Sequence, residues 1–248
     1  MTVTPKVELL AFTQLTPAID QYMERDPEAT DPEHLIEFAG RECYESFHKP
    51  NPKTQKNADY IERTFFEHEH GSITEHASAT VRLTGVSRSL LTELTRHRHL
   101  SFSVRSQRFV NEEDMDVVAP PAIRDFGDGS SRENDYNNRL LQRAVERANH
   151  SAVVAYTSIT EILLKDLLDK GLPKFAARKQ AREAARSVLP NMAETKMVVT
   201  GNFRAWHETL NRRMAPDADA EIREVALMIW NELTEASPVI FPALTLEK

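Results

Sequence analysis

A stretch of alternating polarity constrains the fold more than any other feature of this 248-residue chain. In residues 76–86, "HASATVRLTGV", the apolar residues Ala77, Ala79, Val81 and Leu83 occupy every second position. Successive side chains of a β-strand point to opposite faces, so this spacing predicts a strand with one apolar and one polar face. The chain is therefore expected to build a sheet around this segment.

The remaining segments predict a mixed α+β fold. Strands are also expected at residues 7–12 and 195–203, and Ser130 and Glu133 form a capping-box pattern that opens a long helix. Further helices are predicted over 32–47, 58–71, 87–98, 174–190, 204–214 and 218–238. Helices and strands do not alternate as a doubly wound sheet requires. We predict one α+β domain over residues 1–248, with a central antiparallel sheet flanked by long helices.

Composition narrows the class of protein. A formal net charge of -7 and a pI near 5.8 argue against broad nucleic-acid binding. No run approaches the ~18 apolar residues of a membrane span, and the first twenty residues do not resemble a secretory signal. The single cysteine, Cys43, excludes an internal disulfide, and its spacing predicts a buried small side chain. We expect a cytoplasmic protein that binds neither nucleic acid nor membrane.

Positive charge is nevertheless concentrated in one region. Residues 82–108 contain six arginines and a single acid, Glu93, and residues 95–109 add three serines. The glycine-rich phosphate motifs GxxxxGK[ST] and GxGxxG are absent, so arginine, whose planar fork pairs with phosphate oxygens, would have to bind such a group. A solvated helix end would explain Arg96 and Arg98 but not the serines or the missing acids. The region therefore predicts a site for a small anion.

Two further classes of function stay open, and one of them rests on clustered histidines. Residues 68–76, "HEHGSITEH", contain His68, His70 and His76, and H-x-H pairs can ligate metals. Hard-cation hydrolases usually add several aspartates, and none lies near these histidines. The alternatives are a metal-dependent nucleotide phosphohydrolase that uses this cluster and a non-catalytic nucleotide-binding module.

A specific pattern lies within the basic region. "RHRHLSFSVRS" has Arg96, His97 and Arg98 followed by seven residues and Ser106. This resembles the signature of the flavin-dependent thymidylate synthases. Further stretches resemble that family in the same order, and they are "HGSITEHAS" (70–78), "AARSVLPNMAET" (184–195), "VVTGNFRAW" (198–206) and "RRMAPDADAEIR" (212–223). The resemblance runs from about residue 36 to about residue 230.

The resemblance implies a homotetramer of α+β subunits with active sites between subunits. Each site would hold FAD, which NADPH reduces. The one-carbon unit of methylene-tetrahydrofolate would pass to C5 of dUMP, with a hydride from the flavin. The products would be dTMP, tetrahydrofolate and oxidised flavin.

The resemblance also implies roles for individual residues. The implied cofactor contacts are Ser72, Arg96, His97, Arg98, Val104, Asn202, Phe203, Arg204 and Glu208. The implied dUMP contacts are Glu93, Leu94, Thr95, Arg96, Val104, Arg105, Ser106, Gln107, Arg108, Arg186 and Arg213. Arg213 is implied to be catalytic because it aligns with the arginine that activates the pyrimidine. Val104 and Glu208 depart from the family pattern, so Val104 could bind only through its backbone, and His207 could replace Glu208.

Overall fold

The computed structural model describes residues 2–127 and 132–244, and within them it contains four strands and eight α-helices. The strands are β1 (Lys6–Phe12), β2 (Ser78–Ser87), β3 (Ser101–Val104) and β4 (Glu194–Asn202). The helices are α1 (Asp31–Glu42), α2 (Asn57–Ile61), α3 (Arg88–Leu94), α4 (Pro121–Arg124), α5 (Arg132–Asp169), α6 (Lys174–Ala185), α7 (Phe203–Arg213) and α8 (Ala220–Leu233). None of these helices combines the length and apolar character that a membrane crossing needs.

The four strands form one sheet in the order β1-β2-β4-β3. The amide of Thr13, just after β1, donates to the carbonyl of Ser78 at the start of β2. At the other end of the pair, Thr4 lies against Gly85. Because the start of one strand faces the end of the other, β1 and β2 are antiparallel.

The same relation holds between the other strands. The hydroxyls of Thr80 and Thr200 are 2.9 Å apart, whereas the Gly85 amide donates to the Glu194 carboxylate, so β2 and β4 are also antiparallel. Beyond β3, the Arg105 amide donates to a carbonyl in the first part of β4. The predicted antiparallel sheet is confirmed. The apolar residues at alternate positions, Ala77, Ala79, Val81 and Leu83, are buried as expected.

Tertiary contacts divide the chain into two compact units. Unit 1 comprises, of the described residues, 2–5, 84–93, 104–127 and 132–197, and unit 2 comprises 6–83, 94–103 and 198–244. Strands β2 and β4 each contribute residues to both units. The prediction of a single domain over 1–248 stays a prediction.

The core of unit 2 fixes the start of α7. Trp206 is fully buried, and its indole N–H donates to the carbonyl of Ala79 at 3.1 Å. The side chain of Asn202 caps the helix by accepting from the Ala205 amide at 2.8 Å. Phe203 is likewise fully buried, so backbone and core together fix the first turn of the helix.

Unit 1 is organised around the long helix α5, which packs along α6. Small residues of α6, Ala177, Ala181 and Ala185, are fully buried at this helix pair. The long helix was predicted, and in the structure its apolar side chains Tyr136 and Leu140 are exposed. Ser130, the predicted cap, lies outside the described residues.

Three predictions from local pattern were wrong. Ser87 does accept a hydrogen bond from the Leu90 amide, as a helix start should, but α3 ends at Leu94 instead of continuing to residue 98. The helix expected over 58–71 is the short α2 followed by a π-helical segment, Glu62–Glu67. Cys43, expected to be buried, is exposed at the end of α1.

We expect Arg41→Met to lower the free energy of unfolding by ~3 kcal/mol, because it would leave the buried Glu37 carboxylate without its closest cation. Arg41 Nε lies 2.6 Å from that carboxylate, both side chains are 1% exposed, and Lys49 is more distant at 3.8 Å. Urea denaturation measures the change. The control is Arg63→Met, which removes the exposed Arg63–Glu67 pair and should cost less than ~1 kcal/mol. Equal losses in the two variants would contradict the prediction.

Candidate active site

The segment between α3 and β3 forms one wall of a cavity in unit 2. Two turns shape this segment, because the His97 amide donates to the Leu94 carbonyl and the Leu100 amide to the His97 carbonyl. The cavity has a volume of about 280 Å³, and α7 forms its other wall. Its lining residues are Arg96, His97, Arg98, His99, Ala205, Glu208, Thr209 and Arg212. The structure therefore brings together three of the predicted cofactor contacts, Arg96 to Arg98, with Glu208.

Three arginines, Arg96, Arg98 and Arg212, give this cavity its positive charge. Arg96 and Arg98 are exposed, and neither has an ion-pair partner among residues 2–127 and 132–244. The fork of an arginine binds phosphate oxygens with two parallel hydrogen bonds. Two unpaired guanidinium groups at one cavity therefore fit a pyrophosphate group.

His97 connects this segment to the end of α7. Arg213 Nε donates a hydrogen bond to His97 Nε2 at 2.9 Å. Burial lowers the pKa of His97, and the cations of Arg213, Arg212 and Arg96 lower it further. His97 therefore accepts this bond as a neutral imidazole that carries its proton on Nδ1.

A second cavity, of about 230 Å³, lies at the start of α7. It is lined by Glu75, His99, Asn202, Arg204, Ala205 and Glu208. Arg204 bonds both acids there, through Nε to Glu208 at 2.9 Å and through Nη1 to Glu75 at 2.7 Å. These hydrogen bonds, first the one to Glu208, raise the pKa of Arg204. Unlike Arg96 and Arg98, Arg204 therefore already has anionic partners.

The sequence left open whether Glu208 or His207 faces the cofactor. Glu208 lines both cavities described above. His207 is half-buried with its ring against Phe65 and Trp230, and burial lowers its pKa although Glu208 opposes this shift. His207 lines a third cavity, of about 290 Å³, beside Phe65 and Arg204. Of the two side chains, only Glu208 thus lines the cavity of the R-H-R segment.

Ser72, another predicted cofactor contact, lines a separate cavity of about 220 Å³. The other lining residues are Gly40, Cys43, Tyr44, Tyr60, Thr64, His70 and Ile73. Burial raises the pKa of Tyr60 to about 12. Its hydroxyl is protonated at neutral pH, as that of an ordinary tyrosine is, and can donate a hydrogen bond. Sequence pattern did not single out Tyr60, because its burial beside this cavity is visible only in the fold.

In unit 1, Arg105 differs from the free arginines of unit 2. Its guanidinium bonds the Glu194 carboxylate at 2.9 Å and also bonds Glu112. Both carboxylates are buried, and burial raises the pKa of Glu112 while Arg105 opposes the shift. The terminal nitrogens of Arg105 are therefore committed to ion pairs, and its backbone amide already donates to the Lys196 carbonyl. Its buried Nε has no hydrogen-bond partner among the described residues.

The neighbours of Arg105 form a turn. Ser106 Oγ accepts from the Arg108 amide at 3.4 Å, and the Arg108 guanidinium is 3.6 Å from Glu183. Gln107 is buried, and its side-chain Nε2 has no partner among the described residues. The turn thus presents a half-buried hydroxyl and two polar side chains within three residues.

Arg186 follows α6 in a short 3-10 turn and is exposed. Arg88 at the start of α3 is half-buried, and burial lowers its pKa; the Glu112 carboxylate opposes this shift, and the cations of Arg186 and Arg105 add to it. Neither Arg88 nor Arg186 has an ion-pair partner in the described part of the chain. Arg88 belongs to the basic region of residues 82–108, but its spacing alone did not distinguish it from the other arginines there.

The remaining predicted contacts fall into two groups. Leu94 and Phe203 are buried, so only their backbones are available to a ligand, and Asn202 already uses its side-chain oxygen to cap α7. Glu93 and Val104 are half-buried, whereas Thr95 is exposed.

The histidine cluster does not support the alternative hydrolase. The rings of His68 and His70 lie 5.9 Å apart. No group of three or more His, Cys, Asp or Glu side chains within residues 2–127 and 132–244 is arranged to hold a metal ion.

The chain is similar to known proteins over most of its length. The family model described as "Thymidylate synthase complementing protein" matches residues 27–239. A flavin-dependent thymidylate synthase of Mycobacteroides abscessus is 44% identical over 239 residues, which cover 95% of this chain and 88% of the relative. One of Corynebacterium glutamicum is 42% identical over 242 residues, covering 97% and 90%.

Solved structures share the fold. Thymidylate synthase X of Helicobacter pylori, determined with FAD and dUMP, has a TM-score of 0.59 and 21% identity, and the match covers 96% of this chain and 97% of that one. The UMP/dUMP methylase PolB of Streptomyces cacaoi, bound with 5-Br dUMP, has a TM-score of 0.66 and 24% identity, with 97% and 94% covered. Together with the matched family model and the identity to the curated relatives, these findings establish that the chain belongs to the flavin-dependent thymidylate synthase family.

Proposed function

We propose that this protein makes dTMP from dUMP, with methylene-tetrahydrofolate as the one-carbon donor, NADPH as the reductant and FAD as the cofactor. The observation that carries the proposal is the cavity where the unpaired Arg96 and Arg98 flank His97, which is hydrogen-bonded to Arg213. Membership of the family supports the reaction, and the named ligands of its relatives support the nucleotide and the flavin.

Arg96 and Arg98 would hold the pyrophosphate of FAD, because they flank His97 on one wall of this cavity and no acid of the described chain forms an ion pair with either. Asn202, Phe203 and Arg204, at the start of α7, would contact the cofactor, as would Ser72 and Glu208, and Val104 through its backbone. When bound, FAD supplies the hydride that reduces the transferred one-carbon unit. The protein's part is to bind and orient it.

Residues of unit 1 would bind the phosphate of dUMP. The Ser106 hydroxyl and the unpaired guanidinium groups of Arg186 and Arg88 offer hydrogen bonds and positive charge. Arg108 adds a further cation, and Gln107 has an unpartnered amide. Glu93, Leu94, Thr95 and the Val104 and Arg105 backbones would complete the contacts. A hydroxyl together with arginines suits a phosphate of about two negative charges.

Arg213 would activate the pyrimidine. C5 of a uracil is a poor nucleophile, and electron density there rises when negative charge develops at N3 or an adjacent carbonyl. A guanidinium beside the ring stabilises that charge and stays protonated near an anion. No protein thiolate is needed for this route, and Cys43 has no part in it.

The proposal includes a homotetramer with active sites between subunits. Arginines from distant segments must meet around two phosphate-bearing ligands, and assembly of several copies would provide them. We further propose that residues 1–248 act as one domain, since β2 and β4 belong to both units, and that the protein works in the cytoplasm.

The direct test of function is formation of dTMP by the purified protein with NADPH and methylene-tetrahydrofolate, followed by chromatography. We expect the protein to be yellow as purified and its activity to depend on FAD. A colourless protein that forms no dTMP after FAD addition would contradict the proposed function.

Replacement of Arg213 tests the activating role. We expect Arg213→Ala to retain FAD but to lose dTMP formation by ~10²–10³-fold, since a donor to developing charge is typically worth ~3–4 kcal/mol. Arg213→Lys should recover little, because an ammonium lacks the fork. The matched control is Arg212→Ala, an exposed arginine one residue earlier. Turnover of Arg213→Ala within about threefold of wild type would contradict the role.

Replacement of Ser106 tests phosphate binding. We expect Ser106→Ala to weaken dUMP binding by ~10-fold, about one hydrogen bond to a charged group, while turnover at saturating dUMP is largely kept. The measurement is the Kd for dUMP beside kcat. Ser103→Ala, on exposed β3, is the control. A covalent nucleotide adduct on Ser106 would instead make it a nucleophile and overturn the assignment.

A further inference from the structure

We propose that His97 is a positioning residue for Arg213, whose guanidinium it orients toward the nucleotide by accepting the hydrogen bond from Nε. This inference rests on the proposed function and extends it. The central histidine of the R-H-R segment would serve the dUMP reaction as well as the cofactor.

The geometry supports an orienting role. Arg213 is the last residue of α7, and its long side chain has several rotatable bonds. The 2.9 Å bond from Nε to His97 Nε2 joins it to a segment 116 residues away in sequence. A hydrogen bond at Nε fixes the plane of the whole guanidinium, because the three nitrogens are coplanar. Both side chains are half-buried, so the bond is partly shielded from water.

The bond requires a neutral imidazole. A protonated His97 would present an N–H to the Arg213 N–H and bring two cations together. The charged or titratable groups around it are Arg96, Arg98 and His99 on its own segment and Glu208, Arg212 and Arg213 on α7. Cations predominate in this set.

The sign of the pH dependence follows from these neighbours. Burial, and then Arg213, Arg212 and Arg96, lower the pKa of His97 from its ordinary value of 6.5. The positioning bond is therefore present at neutral pH and is lost as the pH falls through that lowered pKa. We expect the affinity for dUMP and kcat to fall together on the acid side, below pH 6.5.

A pair of variants separates the bond from the bulk of the side chain. We expect His97→Leu, which has no acceptor, to lower kcat by ~10-fold or more. His97→Gln offers an amide oxygen that does not titrate in this range. It should keep a larger share of kcat, and its acid-side loss of dUMP affinity should disappear. Calorimetric Kd values for dUMP between pH 5.5 and 8 give a readout besides activity, and flavin absorbance reports FAD content.

His99→Gln is the matched control, because this exposed imidazole lines the same cavity but has no hydrogen bond to Arg213 in the described structure. It should keep the acid-side loss of the wild type. Equal losses of kcat in His97→Gln and His97→Leu would overturn the proposal, as would an unchanged acid-side loss in His97→Gln. If His97→Leu fails to fold or to hold FAD, the pH profile of His97→Gln still decides.

A double-mutant cycle separates failure of this inference from failure of the proposed function. If His97 acts through Arg213, adding His97→Gln to Arg213→Ala should change the Kd for dUMP by less than twofold and leave no difference in its pH profile. Additive effects would overturn the coupling while leaving the Arg213 role intact. Wild-type dUMP binding and turnover in Arg213→Ala alone would instead refute the activating role and, with it, this inference.

Discussion

The pairing of β2 with β4 is the constraint on which the rest of the structure depends. Each strand leads directly into an element of the candidate site, β2 into α3 and β4 into α7. In unit 2 the pairing brings Ala79 against Trp206, and the Ala77 carbonyl accepts from the Phe203 amide. The first turn of α7 is therefore fixed by backbone and core together. A helix anchored in this way can hold polar side chains at defined positions along its exposed face.

The acids determine which arginines are available to a ligand. Arg105 and Arg204 each bond two carboxylates, so their charge is largely compensated within the chain. Arg96 and Arg98 have no such partner in the described structure and line a cavity. A chain of net charge -7 can thus hold a local excess of positive charge only where no carboxylate forms an ion pair with the local arginines. The number of arginines in a segment is consequently a weaker guide to binding than their partners.

Sequence patterns predicted the features that depend on neighbouring residues, such as the strand alternation. They missed features that depend on contacts between distant segments, such as the end of a helix. The alternation in β2 followed from hydropathy. The end of α3 did not follow from hydropathy, because no glycine or proline follows Leu94 directly. The turn there accompanies packing of Leu100 on Gly201. This contact needs a glycine, because a Cβ at position 201 would lie 2.4 Å from Leu100 Cδ2. The exposure of Cys43 was missed for a related reason. The buried face of α1 carries Glu37 and other polar residues, whose hydrogen bonds compensate their burial.

The two interpretations of Arg213, a charge at a helix end or an activator of the nucleotide, cannot be separated by position. Arg212 and Arg213 both lie in the last turn of α7, where the helix dipole favours a cation by ~0.3–1 kcal/mol. The helix dipole therefore favours both arginines equally, but their surroundings in the structure differ. Arg212 is exposed, and Arg213 is half-buried and bonded to His97. If Arg213 served only the helix dipole, a hydrogen bond to His97 would add nothing to that role, because burial and neighbouring cations keep this imidazole neutral. The specific acceptor at Nε is what distinguishes an oriented guanidinium from a solvated one.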